Sequence, residues 1–357
     1  MNSFAKEFTP LNFGESVSEP EKIVKSFGIT GSVKIFPLGS GHIHQTYKVT
    51  AKNNFVLQRV NKNVFTQPEI IASNNRIAFQ YLKQQHPGYL FPQALPDLQG
   101  NDLFFDDDGF PWRLYPLIEN TLTIDEVSSE QEAFEAASGF GQLTKNLNGV
   151  DTALFKPTLD RFHDLTWRYE QFEDAFQKSK PKTLIAATNE IEIARSFQYL
   201  VKEYQQLIDQ GSLIQRVMHN DTKVNNILFD TVTQKAVCAI DLDTLMPGYF
   251  IYDLGDMVRT FVSPVNEEEK DISKVTFRRN IYDALLEGYL IQMGELLTPS
   301  EKKSIPFSGM MMTYIMALRM LADFLRGNTY YHITYPDQNL VRARNQLHLL
   351  KLIAQAV

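Results

Sequence analysis

The chain has 357 residues, 43% of them hydrophobic and 22% charged, with a net charge of −7 and a pI near 5.6. That is the make-up of a soluble globular protein of one large or two medium domains, and the acidic balance counts against a protein that wraps nucleic acid with a basic face. One cysteine, Cys238 in the apolar run AVCAI, excludes an intrachain disulfide and reads as a buried small hydrophobe.

In chain order, the opening MNSFAKEFTP lacks the apolar core of a signal peptide. Residues 18–28 have a helical pattern. VKIFPL (33–38) and IHQTYKV (43–49) read as strands around a Gly-rich break, GSGH, and FVLQRV (55–60) reads as a third strand. From Thr66 to about Gln85 the apolar residues recur at helical spacing. DLFF and PWRLYPL are strands joined by the hairpin turn DDDG at 106–109. The remainder is mostly amphipathic helix, near 128–146, 160–178, 189–209, 267–293, 298–326 and 338–355. A strand-rich island at 215–245 interrupts it, with NNILFD and KAVCAIDLD around the turn TVTQ. The charge runs EEEK (267–270) and EKK (301–303) read as solvated helix starts. The most apolar stretch, GMMMTYIMAL at 309–318, stops at Arg319, short of the roughly 18 apolar residues of a spanning helix. The expectation is a cytoplasmic protein with no membrane or nucleic-acid partner. A β-rich part, a short connector near Pro116 and a helical part make a bilobal α+β arrangement, with a ligand cleft expected between the lobes.

The segment His219-Asn220-Asp221-Thr222-Lys223-Val224-Asn225-Asn226, followed by Asp241 at the end of an apolar strand, carries the strongest chemical signal. Phosphoryl transfer needs a carboxylate to take or orient the proton of the attacking hydroxyl, a second carboxylate and an amide oxygen to hold magnesium, and a cation for the moving phosphoryl charge. Asp221 fits the first role, Asn226 and Asp241 the metal, and Lys223 the cation. Magnesium binds through few carboxylates and shares phosphate oxygens, so two protein ligands suffice.

HNDTKVNNILFD and AIDLD resemble the catalytic and metal-binding segments of the aminoglycoside phosphotransferase and choline kinase group, whose pattern is His-x-Asp-x4-Asn and then an Ile-Asp pair. The resemblance implies a protein-kinase-like fold with ATP and Mg2+ as cofactors. Its small nucleotide-covering lobe would be residues 1–115, its hinge 116–120 and its large helical lobe 121–357. It also implies that Asp253 in YDLGD braces the catalytic loop. Gly39-Ser40-Gly41, otherwise a plain hairpin turn, then reads as a phosphate-covering loop. The connector with Leu117 and Glu119 reads as the adenine contact.

A narrower set of stretches, among them PLGSGHIHQTY, RLYPLIE, IDLDTLMPG and ALRMLADFLRGNTYY, resembles the N-acetylhexosamine 1-kinases. This implies a small-molecule sugar as acceptor, phosphorylated at its anomeric hydroxyl, with His44, Arg319 and Tyr330 among the substrate contacts. Arg319 has a second reading, a buried pair with Asp323 one turn on. Asp243 is open between a second metal and the acceptor. One position departs from the general kinase pattern. Gln58 stands on the third strand where a lysine usually holds the α- and β-phosphates, with Arg59 beside it. Alternation lets only one of the two face the cleft. The missing lysine motivates a rival reading, a nucleotide-binding module without catalysis.

Overall fold

The computed structural model describes residues 18–38 and 43–357; Gly39, Ser40 and Gly41 lie outside the described residues. The small lobe starts with α1 (Ser18–Ser26) and builds an antiparallel sheet from β1 (Lys34–Pro37), β2 (Gln45–Thr50), β3 (Asn54–Arg59), β4 (Phe104–Phe105) and β5 (Pro111–Pro116), in the order β1-β2-β3-β5-β4. Helix α2 (Pro68–Gln85) connects β3 to β4. Alternation sends Val49, Phe55, Leu57, Trp112 and Leu114 to one face, buried against Ile23 and Val24 of α1 and Phe27 just after it. Thr46, Gln58 and Arg113, in register on the other face, look towards the large lobe. Asp106 shapes the expected hairpin: its carboxylate accepts from Phe110 N–H and from Trp112 Nε1, both at 2.7 Å.

In the large lobe, β6 (Thr121–Leu122) pairs with β8 (Ile227–Asp230), which pairs with β9 (Ala236–Ala239). A second ladder joins β7 (Arg216–Met218) to β10 (Met246–Gly248). Around them stand α3 (Glu130–Asn146), α4 (Leu165–Lys178), α5 (Pro181–Ala186), α6 (Thr188–Ser196), α7 (Tyr199–Asp209), α8 (Phe250–Phe261), α9 (Arg279–Met293), α10 (Pro299–Lys303), α11 (Ile305–Leu325) and α12 (Gln338–Ala356). Helix α3 starts on a full capping box between Ser129 and Glu132. Helix α11 is the centre of the core and packs on α4, α8 and α12.

Several sequence expectations change. The helix expected over 189–209 is two, α6 and α7, split at Phe197–Gln198. The helix expected from 267 begins only at Arg279. Asn266, Glu269 and Asp271 turn their side chains onto nearby N–H groups at Glu268, Asp271 and Ser273, the local bonding that competes with a helix. EEEK is therefore no helix start. Nor is Glu301 solvated: it is fully buried, closes a capping box with Thr298 and pairs with Arg216 at 2.6 Å. The span 298–326 breaks at Ser304, just before Pro306, into α10 and α11. Arg319 does not end the apolar helix; α11 runs 21 residues and is long and apolar enough to cross a membrane, but 72% of that stretch is buried inside the protein, as a core helix is.

Two glycines permit the closest crossings. A Cβ at Gly288 of α9 would collide with the Phe134 carbonyl of α3, and one at Gly255 of α8 with the Ser308 carbonyl of α11. Backbone cannot swing aside as a side chain can, so Gly288→Ala is expected to destabilise the protein by about 1–3 kcal/mol. Urea unfolding would show a lower midpoint with an unchanged slope; an unchanged midpoint would refute the tight crossing.

Candidate active site

The loop between β7 and β8 carries Asp221, and buried hydrogen bonds set its shape. Asn220 has a left-handed backbone (φ 64°), which asparagine tolerates better than most residues. Its side-chain Nδ2 donates to the carbonyls of Met218, Thr244 and Met246 at 3.0, 2.9 and 3.2 Å. Asp253, in the first turn of α8, accepts the N–H of His219 at 3.1 Å and of Asn220 at 2.7 Å, one on each oxygen. Asp256, one turn further, accepts the N–H of Thr222 at 2.9 Å and is held in turn by Arg259. The bracing expected of Asp253 is thus present in the geometry, and Asp256 shares it.

His219 ties the loop to the segment that follows β9. Its Nε2 faces the Ile240 carbonyl at 2.9 Å; a carbonyl only accepts, so this nitrogen carries the proton. Nδ1 is then free to accept the Asp221 N–H at 3.3 Å. The N–H of Ile240 donates to the Asn226 carbonyl at 2.8 Å. Asn226 and Asp241 are therefore joined through one residue. Asn226 Nδ2 donates to the Asp221 carbonyl (2.8 Å) and carboxylate (3.2 Å), and its amide oxygen carries no hydrogen bond among the described residues. Lys223 Nζ lies 3.2 Å from Asp221 Oδ2, and that carboxylate holds the ammonium well above the ordinary lysine range.

Asp241 is left-handed too (φ 57°) and opens a one-turn 3-10 helix, Leu242–Thr244. Its residue is open to the cleft. Packed surroundings, then the Asp243 and Asp221 carboxylates, push its carboxyl above the ordinary range, a crowding that a divalent cation would relieve. A carboxylate and an amide oxygen are also the ligands magnesium takes, so Asn226 and Asp241 fit that ion. Ligand atoms of His44, Asp241 and Asp243 lie within 4.8 Å of one another, but His44 and Asp243 are already engaged. His44 Nε2 sits 2.6 Å from Asp243 Oδ2, and His44 Nδ1 accepts the Asn61 N–H at 3.0 Å. Both ring nitrogens of His44 are thus occupied, Nε2 in a contact between the lobes and Nδ1 within the small lobe.

The other expected residues are placed as follows. Gln58 faces the large lobe and Arg59 the opposite side, where its guanidinium lies 3.7 Å over the Phe110 ring. Leu117 N–H donates to the Asn54 carbonyl at 3.0 Å, and Glu119 accepts from Asn54 Nδ2 at 2.7 Å. The Arg319–Asp323 pair does not form. The Asp323 carboxylate accepts the N–H groups of Thr329, Tyr330 and Tyr331 and Nδ2 of Asn339, so it orders the turn after α11. Arg319 instead lies between Phe162 and Tyr331, 5.3 and 5.6 Å from their ring centres. Burial, and then Arg319, bring neighbouring Arg168 down to about 9. Tyr330 packs edge-on against Tyr331 with half its surface exposed. His163, the residue after Phe162, donates Nε2–H to the Asn220 carbonyl at 2.8 Å. It links this aromatic cluster to the Asp221 loop, a contact the sequence reading missed.

Burial pushes Asp253 up to about 6, with its two amide bonds working against that rise. A carboxyl raised above its unfolded value of about 3.9 favours folding while protonated, and that contribution is lost as pH rises through about 6. Asp253→Asn cannot ionise and leaves one loop amide facing an amine. We expect the unfolding free energy of the native chain, measured relative to this variant, to fall between about pH 4 and pH 6; a pH-independent difference would contradict the assignment.

The geometry has counterparts among known proteins. Solved structures similar to this chain include an amicoumacin kinase in complex with AMP-PNP and Ca2+ (TM-score 0.62, 14% identity, covering 95% of this chain and 97% of that one). An aminoglycoside phosphotransferase from Alicyclobacillus acidocaldarius matches with a TM-score of 0.64 and 11% identity, covering 96% and 97%. A choline kinase from Cryptosporidium parvum matches with a TM-score of 0.56 and 14% identity, covering 95% and 97%. At these identities the likeness is one of fold. A sequence profile of the phosphotransferase enzyme family matches residues 34–293, which takes in the sheet, the Asp221 loop and the Asp241 turn, and the chain belongs to that family.

Proposed function

We propose that this small-molecule phosphotransferase transfers the γ-phosphoryl group of ATP to the anomeric hydroxyl of an N-acetylhexosamine. The observation that carries the chemistry is the joining of Asp221, Asn226 and Asp241 through His219 and Ile240. In this reading Asp221 orients the acceptor hydroxyl and takes its proton as the O–P bond forms. Lys223, released from Asp221 as phosphate arrives, meets the charge on the moving group. Asn226 and Asp241 hold Mg2+, which when bound neutralises the phosphate oxygens. ATP as donor is in keeping with the nucleotide analogue bound to the amicoumacin kinase of similar fold. The small lobe to residue 115, the connector 116–120 with Leu117 and Glu119, and the loop Gly39-Ser40-Gly41 are assigned to the nucleotide on the family pattern.

The acceptor assignment rests on the aromatic surroundings of Arg319. A guanidinium with no carboxylate partner among the described residues, set between Phe162 and Tyr331, suits the hydroxyls and amide carbonyl of a neutral sugar better than the ammonium groups of an aminoglycoside or choline. Tyr330 flanks the same place. His44 would reach the sugar only by leaving Asp243.

Coupled ADP release across free hexosamines, choline, homoserine and an aminoglycoside tests the acceptor. Turnover is expected with N-acetylglucosamine or N-acetylgalactosamine; turnover confined to the amino alcohols or the antibiotic would remove the sugar and keep the chemistry. Asp221→Asn is expected to lower kcat by roughly a hundredfold or more. A native chain that binds ATP yet transfers to no acceptor would instead support the nucleotide-binding module.

A further inference from the structure

Gln58 occupies the third-strand position where a lysine was expected, and its cross-strand neighbour shows what stands in its place. Arg113 on β5 is the register partner of Gln58. Gln58 Oε1 accepts from Arg113 Nε at 2.8 Å and from Nη2 at 2.6 Å, while Gln58 Nε2 donates to Thr46 Oγ1 at 3.1 Å. Three adjacent strands thus hold one guanidinium in a fixed orientation. Its remaining nitrogen, Nη1, reaches out of the sheet to Asp243 Oδ1 at 2.5 Å.

Asp243 belongs to the large lobe and lies two residues after Asp241. Both its oxygens face small-lobe groups, Oδ1 in an ion pair with Arg113 and Oδ2 in a hydrogen bond with His44. The residue next to it, Thr244, is gripped from the opposite side. Its hydroxyl donates to the His219 carbonyl at 2.7 Å, and its own carbonyl accepts from Asn220. The short turn that presents Asp241 in its left-handed conformation is therefore held by both lobes at once. A left-handed non-glycine backbone is a strained state that persists only where its surroundings enforce it. Arg113 is 4% exposed and Asp243 2% exposed, so neither is open to the cleft. His44 accepts a backbone N–H on Nδ1 and turns Nε2 to Asp243; the permanent positive charge facing Asp243 is Arg113.

We propose that Arg113 is a positioning residue for the metal-binding carboxylate: oriented by Gln58, it clamps Asp243 and thereby fixes the turn that aims Asp241 at the divalent cation. The lysine expected on the third strand would act on the phosphates directly. Here the small-lobe cation acts one step back, on the metal ligand. This assigns Asp243 to the clamp rather than to a second metal or the acceptor. Removing Arg113 would leave a buried carboxylate without its charge partner, free to turn towards the metal site and draw the Asp241 turn with it.

The inference rests on Asp241 as a metal ligand, so the experiment tests both. Binding of Mn2+ to the ADP complex of the full chain is measured by the loss of the free-ion paramagnetic resonance signal. ADP affinity without metal and the thermal midpoint are followed in parallel. Groups that orient metal ligands typically affect metal affinity 10–100-fold. Arg113→Gln is therefore expected to weaken Mn2+ binding by about tenfold or more, while metal-free ADP affinity is kept. Arg113→Lys, which restores the charge but not the fork on Gln58, should recover part of it. Combined with Asp243→Asn, Arg113→Gln should add nothing further, since both act through one contact. Unchanged Mn2+ binding in Arg113→Gln would overturn the clamp, as would a parallel loss of metal-free ADP affinity and thermal midpoint, which marks a general folding role. If Asp241→Asn leaves Mn2+ binding intact, the metal assignment itself fails; if Asp241→Asn abolishes binding and Arg113→Gln does not alter it, the clamp alone fails.

Discussion

A single buried carboxylate accepts two consecutive backbone N–H groups, and the rest of the site follows from that contact. Asp253 lies at the start of α8, where the helix dipole favours a negative group, and its two oxygens take the amides of His219 and Asn220. Those amides would otherwise be buried without partners, which is costly. Asn220 can then hold its left-handed turn and send its side chain into three carbonyls. His219 can direct one ring nitrogen to Ile240 and the other to Asp221. Asp256 secures the residue on the far side of Asp221. The Asp221 carboxylate is thus carried on backbone braced on both sides, the pre-organisation that phosphoryl transfer requires of a protein that does little covalent chemistry itself.

The same economy of contacts joins the lobes. Asn74 of α2 exchanges hydrogen bonds with Lys156 and donates to the Leu245 carbonyl, just past the Asp241 turn. Arg113 and His44 meet Asp243 inside that turn. Small-lobe elements therefore touch the large lobe at the segment that carries Asp241. Lobe geometry and the geometry of that turn are in consequence hard to change independently.

Much of this was legible in the sequence because the chemistry is compressed into short spacings. Asp221, Lys223 and Asn226 lie within six residues, Asp241 follows shortly after an apolar strand, and Asp253 follows in YDLGD; the family match confirms the phosphotransferase reading that those spacings supported. Arg113 was not legible. In PWRLYPL it is one charge in a strand, and its meaning depends on register against Gln58 and on the distance to a turn more than a hundred residues away. Asp256 repeats the acidic type of Asp253 three residues on, a spacing that places both on one helix face and could have flagged it. Glu301 looked solvated because a charge run hides which member turns inward onto Arg216. Arg319 and Asp323 had the right spacing for a pair, but four donors from the following turn and α12 claim the carboxylate first.

What the site acts on is a question about product. Phosphorus NMR of the protein incubated with MgATP and N-acetylglucosamine or N-acetylgalactosamine answers it most directly. Transfer at the anomeric position predicts a new phosphomonoester resonance coupled to the anomeric proton, growing as ATP is converted to ADP. ADP accompanied only by inorganic phosphate, or a phosphomonoester coupled to a different sugar proton, would contradict it.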